Sequence, residues 1–146
     1  MKVGDISNAK TVTLETISPE NTVHDAIKIL AAHNFGALPV VGDEGRLIGI
    51  ISERDILRLC ANDDCGAALA RAVGDVMTTN LVIGVPDDDI TYVMQVMTER
   101  HIRHLPILDN GVLVGIVSIG DVVKAQYEQK ETEVRFLRDY LSGATA

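Results

Sequence analysis

The chain has no tryptophan, two phenylalanines and three tyrosines in 146 residues. Aromatic packing therefore cannot carry the core. That task falls to Val, Ile, Leu, Ala and Met within a composition that is 47% hydrophobic. Basic residues are scarce too: 13 Lys and Arg stand against 21 Asp and Glu, a net charge of −8. This balance argues against general affinity for nucleic acid or an anionic membrane, which needs a basic face. It leaves room for a local basic pocket. No apolar run approaches the roughly 20 residues of a membrane span. The opening MKVGDISNAK lacks the apolar core of a signal peptide, so a cytoplasmic location is expected. Two cysteines, Cys60 and Cys65, are too few for a disulfide framework and read as free thiols in a reducing compartment. No metal is expected, since His101-x-x-His104 has no clustered Cys or carboxylate beside it.

What is there is there twice. GIISERD (49–55) returns as GIVSIGD (115–121). At an offset of 67, ISPENTVHDAIKILAAHNFGALPVV (17–41) lies over GVPDDDITYVMQVMTERHIRHLPIL (84–108). Pro19 then meets Pro86, Leu30 meets Met97, and Leu38-Pro39 meets Leu105-Pro106. One extra residue in the first turn changes the offset to 66, and LIGIISERDIL (47–57) lies over LVGIVSIGDVV (113–123). Such self-similarity marks repeated supersecondary units.

Each unit reads as β-α-β-β-α. An extended stretch (Thr11–Ile17; Asn80–Val85) precedes a helix capped by Thr22 in one copy and by Asp88 or Asp89 in the other. Val23, Ala26, Ile27 and Leu30 recur at helical spacing, as do Ile90, Val93, Met94 and Met97. Short apolar strands follow (Leu38–Val41; Leu105–Leu108), then a Gly- and Asp-rich turn, then a second strand through Gly49 or Gly115. Ser52 and Ser118 open the next helix, with Asp55 and Asp121 at its third position, close to a capping box. The expected fold is α/β (α+β): two repeats, 1–62 with an N-terminal segment and 76–125, joined by a linker at 63–75 with a short helix near Ala67–Ala72. Neither half would bury much surface alone. A helix from Val122 to Leu141 carries the extension 126–146, with Tyr127, Val134, Leu137 and Leu141 on one face, packed on the core or on a partner chain.

The repeated Ser and Asp admit two readings. They cap a helix, a contribution of about 1 kcal/mol that needs no ligand. The same geometry also suits a nucleoside phosphate. A strand glycine admits close approach. Helix-start amides and a hydroxyl bind phosphate oxygens, and a carboxylate accepts from ribose hydroxyls. The copies differ before Leu-Pro: Phe35-Gly36-Ala37 is uncharged, whereas Ile102-Arg103-His104 is not. Arg103 or His104 beside Ser118 and Asp121 would make the second site the better anion site, since a guanidinium grips phosphate bidentately. Arg54 is the nearby cation of the first. No catalytic constellation is visible.

Taken together, these words resemble a tandem pair of cystathionine-beta-synthase (CBS) domains, a Bateman module, of the small stand-alone bacterial type. The matching segments are ISPENTVHDAIKIL, GALPVV and RLIGIISERDIL, then DVMTTNLVIGVPDDDI, RHIRHLPIL and GVLVGIVSIGDVV, over residues 3–125. The resemblance implies a non-enzymatic regulatory module. Its two units would pack about a pseudo-twofold axis, pair as a homodimer, bind AMP, ADP, ATP, NAD or S-adenosylmethionine in two clefts, and act in trans on a regulated protein. It implies that Asp121 takes ribose hydroxyls, Ser118 ribose or phosphate, and Arg103 and His104 phosphate. Ala37 and Pro106 would line the adenine cleft, with Thr16, Ser18 and Lys10 at its edge. Ser52, Arg54 and Asp55 would mark the second cleft. A structural interaction dimer with vestigial clefts remains the other reading.

Overall fold

The structure is a computed structural model describing residues 1–9 and 14–143. Lys10 and residues 11–13 lie outside the described residues. In chain order the helices and strands are α1 (Val3–Ala9), α2 (Val23–His33), β1 (Ala37–Val41), β2 (Leu47–Ser52), α3 (Glu53–Asn62), α4 (Cys65–Ala70), α5 (Val73–Val76), α6 (Ile90–Arg100), β3 (His104–Asp109), β4 (Val112–Ser118) and α7 (Ile119–Leu141). A single 3₁₀ turn, Asp43–Gly45, joins β1 to β2.

The repeat is visible in every local device. Thr22 caps α2 with a full capping box: its hydroxyl accepts from the Asp25 N–H, and Asp25 accepts from the Thr22 N–H. Asp89, rather than Asp88, caps α6 by accepting from the Thr91 N–H at 2.8 Å. Both helices end on a left-handed residue, Asn34 (φ 56°) and His101 (φ 54°). β1 pairs antiparallel with β2, and β3 with β4. The second hairpin turns on Asn110-Gly111, with φ values of 51° and 80°. Both residues of a tight two-residue turn need positive φ, hence Asn-Gly.

Among the described residues, each extended stretch joins the neighbouring strand through one bridging residue. Ile17 pairs parallel with Val40, and Gly84 with Ile107. In each bridge one N–H and one C=O reach the neighbouring strand, at 2.9–3.0 Å. Pro19 and Pro86 follow two residues later; they offer no N–H and stop the ladder.

Two short helices were not anticipated, and they extend the duplication. Val3-Gly4-Asp5 in α1 and Val73-Gly74-Asp75 in α5 lie 70 residues apart. The Val3 N–H donates to the Asp88 carbonyl and the Val73 N–H to that of Asn21, both at 2.8 Å. The Gly4 N–H meets the Pro86 carbonyl and the Gly74 N–H that of Pro19, both at 2.9 Å. A Cβ on Gly4 would lie 3.0 Å from the Pro86 oxygen, and one on Gly74 3.2 Å from the Pro19 oxygen, so glycine is what allows this approach. α1, first in the chain, thus packs on the later unit. Val3 is buried with Ile90, Met97, Leu105, Ile107 and Val122. Val73 is buried with Ile17, Val23, Leu30, Leu38 and Ile51. Among the described residues, no buried core residue is Trp, Tyr or Phe.

Val3→Ala and Val73→Ala should each lower unfolding stability by about 2 kcal/mol, because both side chains are fully buried and deletion leaves a void; urea denaturation measures it. If α1 only decorates the surface, Val3→Ala will be near neutral. Asp25 and Asp89 are held below the usual carboxylate value, chiefly by backbone N–H donors from Thr22 and Thr91. A depressed folded pKa contributes stability above the unfolded value of about 3.9, and that stability is lost as pH falls through the folded value. The Asp25→Asn, Asp89→Asn pair should therefore flatten the acid limb of a thermal-melting profile below about pH 4.

Candidate functional site

Both Ser-Asp pairs are capping boxes. The Ser118 N–H donates to the Asp121 carboxylate at 2.8 Å, and the Asp121 N–H donates back to the Ser118 hydroxyl at 3.1 Å. The corresponding Ser52 and Asp55 distances are 2.9 and 3.2 Å. Asp55 is further held by the Ser52 hydroxyl at 3.0 Å and by the Thr78 hydroxyl at 3.3 Å. Thr78 is in place because its backbone exchanges two hydrogen bonds with Ile50.

Each box forms the floor of a cleft whose opposite wall comes from the other unit. The larger, about 580 Å³, sets Ser118 and Asp121 against Phe35, Gly36 and Ala37. Ile6, Ile116 and Ala125 make its apolar surface; Lys124, Glu128, Asp5, His33 and His104 supply charge or polarity. His33 is held by stacking on Phe35, with ring centroids 5.2 Å apart, and faces Glu15 at 3.7 Å. The smaller cleft, about 210 Å³, sets Ser52 and Asp55 against Ile102, Arg103 and His104. It also holds Arg54, Arg58, Glu53, Thr78 and His101. Arg54 reaches across the units to the His101 carbonyl at 3.5 Å.

The structure therefore gathers Ala37, His104, Ser118 and Asp121 in one cleft and Ser52, Arg54 and Asp55 in the other. Arg103 changes sides: the sequence places it with Ser118 and Asp121, whereas it lines the smaller cleft. The reason is backbone geometry. His104 pairs with Ser118 in the sheet, and the Arg103 carbonyl accepts from the Ile119 N–H at 2.8 Å. The segment before β3 is thereby turned toward the other unit's box. The Gly36 carbonyl does the same for the Glu53 N–H at 3.0 Å. In consequence the cation cluster, Arg54, Arg58 and Arg103, lies beside the first copy's box, the reverse of the sequence expectation.

Other expected residues lie elsewhere. Pro106 is buried in β3, and its carbonyl accepts from the Gly84 N–H, outside both clefts. Ser18 belongs to the turn before α2. Its hydroxyl meets the Glu20 carboxylate, lowering that group's pKa, and its N–H donates to the Asn21 side chain at 3.2 Å. Thr16 precedes the bridging Ile17 and lines neither cleft. Lys10 is outside the described residues. The strand glycine Gly49 leaves space for the protein itself: a Cβ there would lie 2.5 Å from the Met77 sulfur and 3.1 Å from the Thr78 carbonyl oxygen. Residues the sequence reading missed include Lys124 and Arg58, each one turn beyond its box Asp on the same helix face, a spacing that could have pointed to them. His33 and Phe35 gave no such signal.

The clefts share one wall. Gly36 and His104 line both, and a Cβ on Gly36 would come within 2.8 Å of His104 Nε2. Among the described residues, no group of three or more His, Cys, Asp or Glu side chains could hold a metal ion, and no helix is long and apolar enough to cross a membrane.

A duplicated mixed helix-and-strand unit, with two small antiparallel sheets, a crossed-over leading helix and two clefts between copies, defines a paired-unit α+β architecture. The CBS-domain family model matches residues 3–62 and 73–128. The chain belongs to the CBS-domain family, as a small pair of such domains. It is 39% identical over 128 residues to the mitochondrial CBS domain-containing protein CBSX3 of Arabidopsis thaliana, covering 85% of this chain and 62% of that protein. It is 38% identical over 125 residues to YhcV of Bacillus subtilis, covering 85% and 86%. The crystal structure of the CBS-domain protein ATU1752 from Agrobacterium tumefaciens superposes with a TM-score of 0.80 at 36% identity, over 86% of this chain and 92% of that one. Two further neighbours carry ligands. CBSX2 in complex with AMP has a TM-score of 0.74 at 29% identity, over 88% and 98%. The CBS pair of MJ0100, with 5′-methylthioadenosine and S-adenosyl-L-methionine, has 0.74 at 26% identity, over 88% and 98%.

Gly36→Ala should displace the His104 ring, since 2.8 Å is closer than a Cβ can stand. The His104 ring resonances should shift in NMR spectra while those of the exposed His24 stay put. Unmoved His104 resonances would show that the shared wall is not tight.

Proposed function

We propose that this chain is a cytoplasmic regulatory module whose clefts bind adenine nucleotides, AMP or NAD(H) foremost, and which acts in trans on a partner protein. The observation that carries the reading is the reciprocal arrangement of the two Ser-Asp boxes, each facing the other unit's strand entry across a cleft. The larger cleft has the volume usual for a small-molecule site, about 300–1,000 Å³, and it joins apolar walls to a carboxylate and a cation. Asp121 takes the ribose hydroxyls, Phe35, Ala37 and Ile116 hold the base, and Lys124 with His104 meets the phosphate. In the smaller cleft Asp55 takes the sugar, and Arg54, Arg58 and Arg103 suit a more highly charged phosphate group. The AMP complex of CBSX2 and the nucleoside complexes of MJ0100 support an adenine-bearing ligand.

Binding in a cleft built from both units favours their closed arrangement. Its effect on a partner is bounded by the difference in ligand affinity between the two arrangements. The proposal involves binding alone, with no bond broken.

Calorimetric titration with AMP, ATP, NAD⁺ and S-adenosylmethionine tests the reading. At least one should bind, and Asp121→Ala should weaken binding in the larger cleft by about tenfold or more, the loss of a charged hydrogen-bond acceptor. Absence of heat from all four with folded protein would leave the structural reading, a dimer with vestigial clefts.

A further inference from the structure

Cys60 and Cys65, the two cysteines of the chain, stand on either side of one turn. Cys60 is in the last turn of α3 and Cys65 opens α4, with Asp63 and Asp64 extended between them. Cys60 lies four residues after Ile56, and Cys65 lies four before Leu69, the spacing of neighbours on one helix face. Ile56 and Leu69 both pack on the aliphatic core of the first unit. α3 and α4 also pack on each other, so both sulfurs are carried on the sides of the two helices that meet over that core. The turn itself is pinned. The Asp63 N–H donates to the Leu59 carbonyl at 2.9 Å, the Ala68 N–H donates to the Asp64 carbonyl at 2.8 Å, and Arg71 pairs with Asp63 at 3.4 Å.

The thiols differ in access: Cys60 is half-buried and Cys65 is exposed. They also interact. Burial, and then a hydrogen bond with Cys65, push the Cys60 thiol above its ordinary range. Cys65 is thus the thiol that an external reagent reaches, and Cys60 is held in reserve beside it. Two sulfurs with no third ligand beside them among the described residues do not make a zinc site. A bond between them would close a ring across a turn that is already fixed at both ends. Neither cysteine lines a cleft.

We propose that Cys60 and Cys65 form a reversible dithiol–disulfide site for low-molecular-weight disulfides of the glutathione type, and that the bond clamps the end of α3 to α4. The Cys65 thiolate attacks one sulfur of the external disulfide. A Cys65–glutathione bond forms, and one glutathione leaves as thiolate and takes up a proton. The Cys60 thiol then gives its proton to solvent, and its sulfur attacks Cys65 Sγ. The Cys60–Cys65 bond forms as the second glutathione leaves as thiolate and is protonated. Each cysteine loses one electron, and one glutathione disulfide is reduced to two thiols. Excess thiol runs the steps backwards. α3 also carries Arg54, Asp55 and Arg58 of the smaller cleft, so the bond fastens the helix that bears two of that cleft's cations.

Oxidised glutathione added to the folded full chain, followed by trypsin and mass spectrometry, tests this. Cleavage after Arg58 and Arg71 leaves both cysteines in one peptide, 59–71. That peptide should appear lighter by two hydrogens and revert with dithiothreitol. Cys60→Ser should stop at a glutathione adduct on Cys65. Cys65→Ser should react about tenfold more slowly than wild type, since its remaining thiol is half-buried. Ring closure should be about tenfold faster in the folded chain than in urea, where only the spacing remains. Amide exchange along α3 should slow in the oxidised wild type and not in oxidant-treated Cys60→Ser. A lasting adduct on wild-type Cys65, a disulfide between two chains, or no reaction would overturn the site. So would ring closure as fast in urea as in the folded chain. Equal reactivity of Cys65→Ser would overturn the order of attack, and unchanged exchange along α3 would overturn the clamp.

Discussion

Two reciprocal hydrogen-bond pairs, Ser52 with Asp55 and Ser118 with Asp121, govern where everything else in this protein can stand. Each marks the point where a strand that must be extended becomes a helix that must begin. The serine satisfies one orphan helix amide, and the aspartate satisfies the serine's own. The energy of each cap is small, about 1 kcal/mol. Its geometric effect is large, because the chain turns at one residue and leaves the first helical turn as a cleft floor. The capping and binding readings of these residues are compatible. A carboxylate already oriented by backbone donors presents a fixed acceptor to a ligand, with little rotamer freedom left to lose.

The two floors are alike, and the walls make them differ. Gly36-Ala37 in one unit stands where Arg103-His104 stands in the other. The units face each other, so each wall serves its neighbour's floor. The small pair leaves the larger cleft roomy and apolar. The charged pair joins Arg54 and Arg58 to give a narrow, strongly cationic slot. His104 sits where the clefts meet, pressed against the space that Gly36 leaves open. A nearly symmetric scaffold thus carries two chemically distinct clefts, set apart by the wall pair and by Arg54 and Arg58 on one helix where the other copy has Gly120 and Lys124.

Local features were legible in the chain because their causes are local. Thr22 and Ser118 cap helices through atoms three residues away. Asn110-Gly111 turns a hairpin through its own φ angles. The 3.6-residue spacing of Val23, Ala26 and Leu30 marks a buried face whatever lies opposite it. The repeat itself was legible for the same reason, since each copy solves the same local problem. Among the described residues the extended stretches are shorter than expected because each meets its neighbouring strand through one residue only, Ile17 or Gly84, a pairing set by a distant strand. The Val-Gly-Asp duplication escaped notice because its meaning is a contact with a distant proline carbonyl.

The amino-acid order alone determined two similar units, their capped helices, their short strands, an aliphatic core and the residue types able to meet a sugar and an anion. Only the tertiary structure decided which cleft each side chain serves. α1 crosses to the later core, and Arg103 turns toward the earlier box. The physical reason is that periodicity records which face of an element is buried, whereas the assignment of walls to floors depends on backbone hydrogen bonds between elements, both within a unit and from one unit to the other. Those bonds, from Val3 to Asp88 and from Ile119 to Arg103, join residues by geometry that no spacing along the chain encodes.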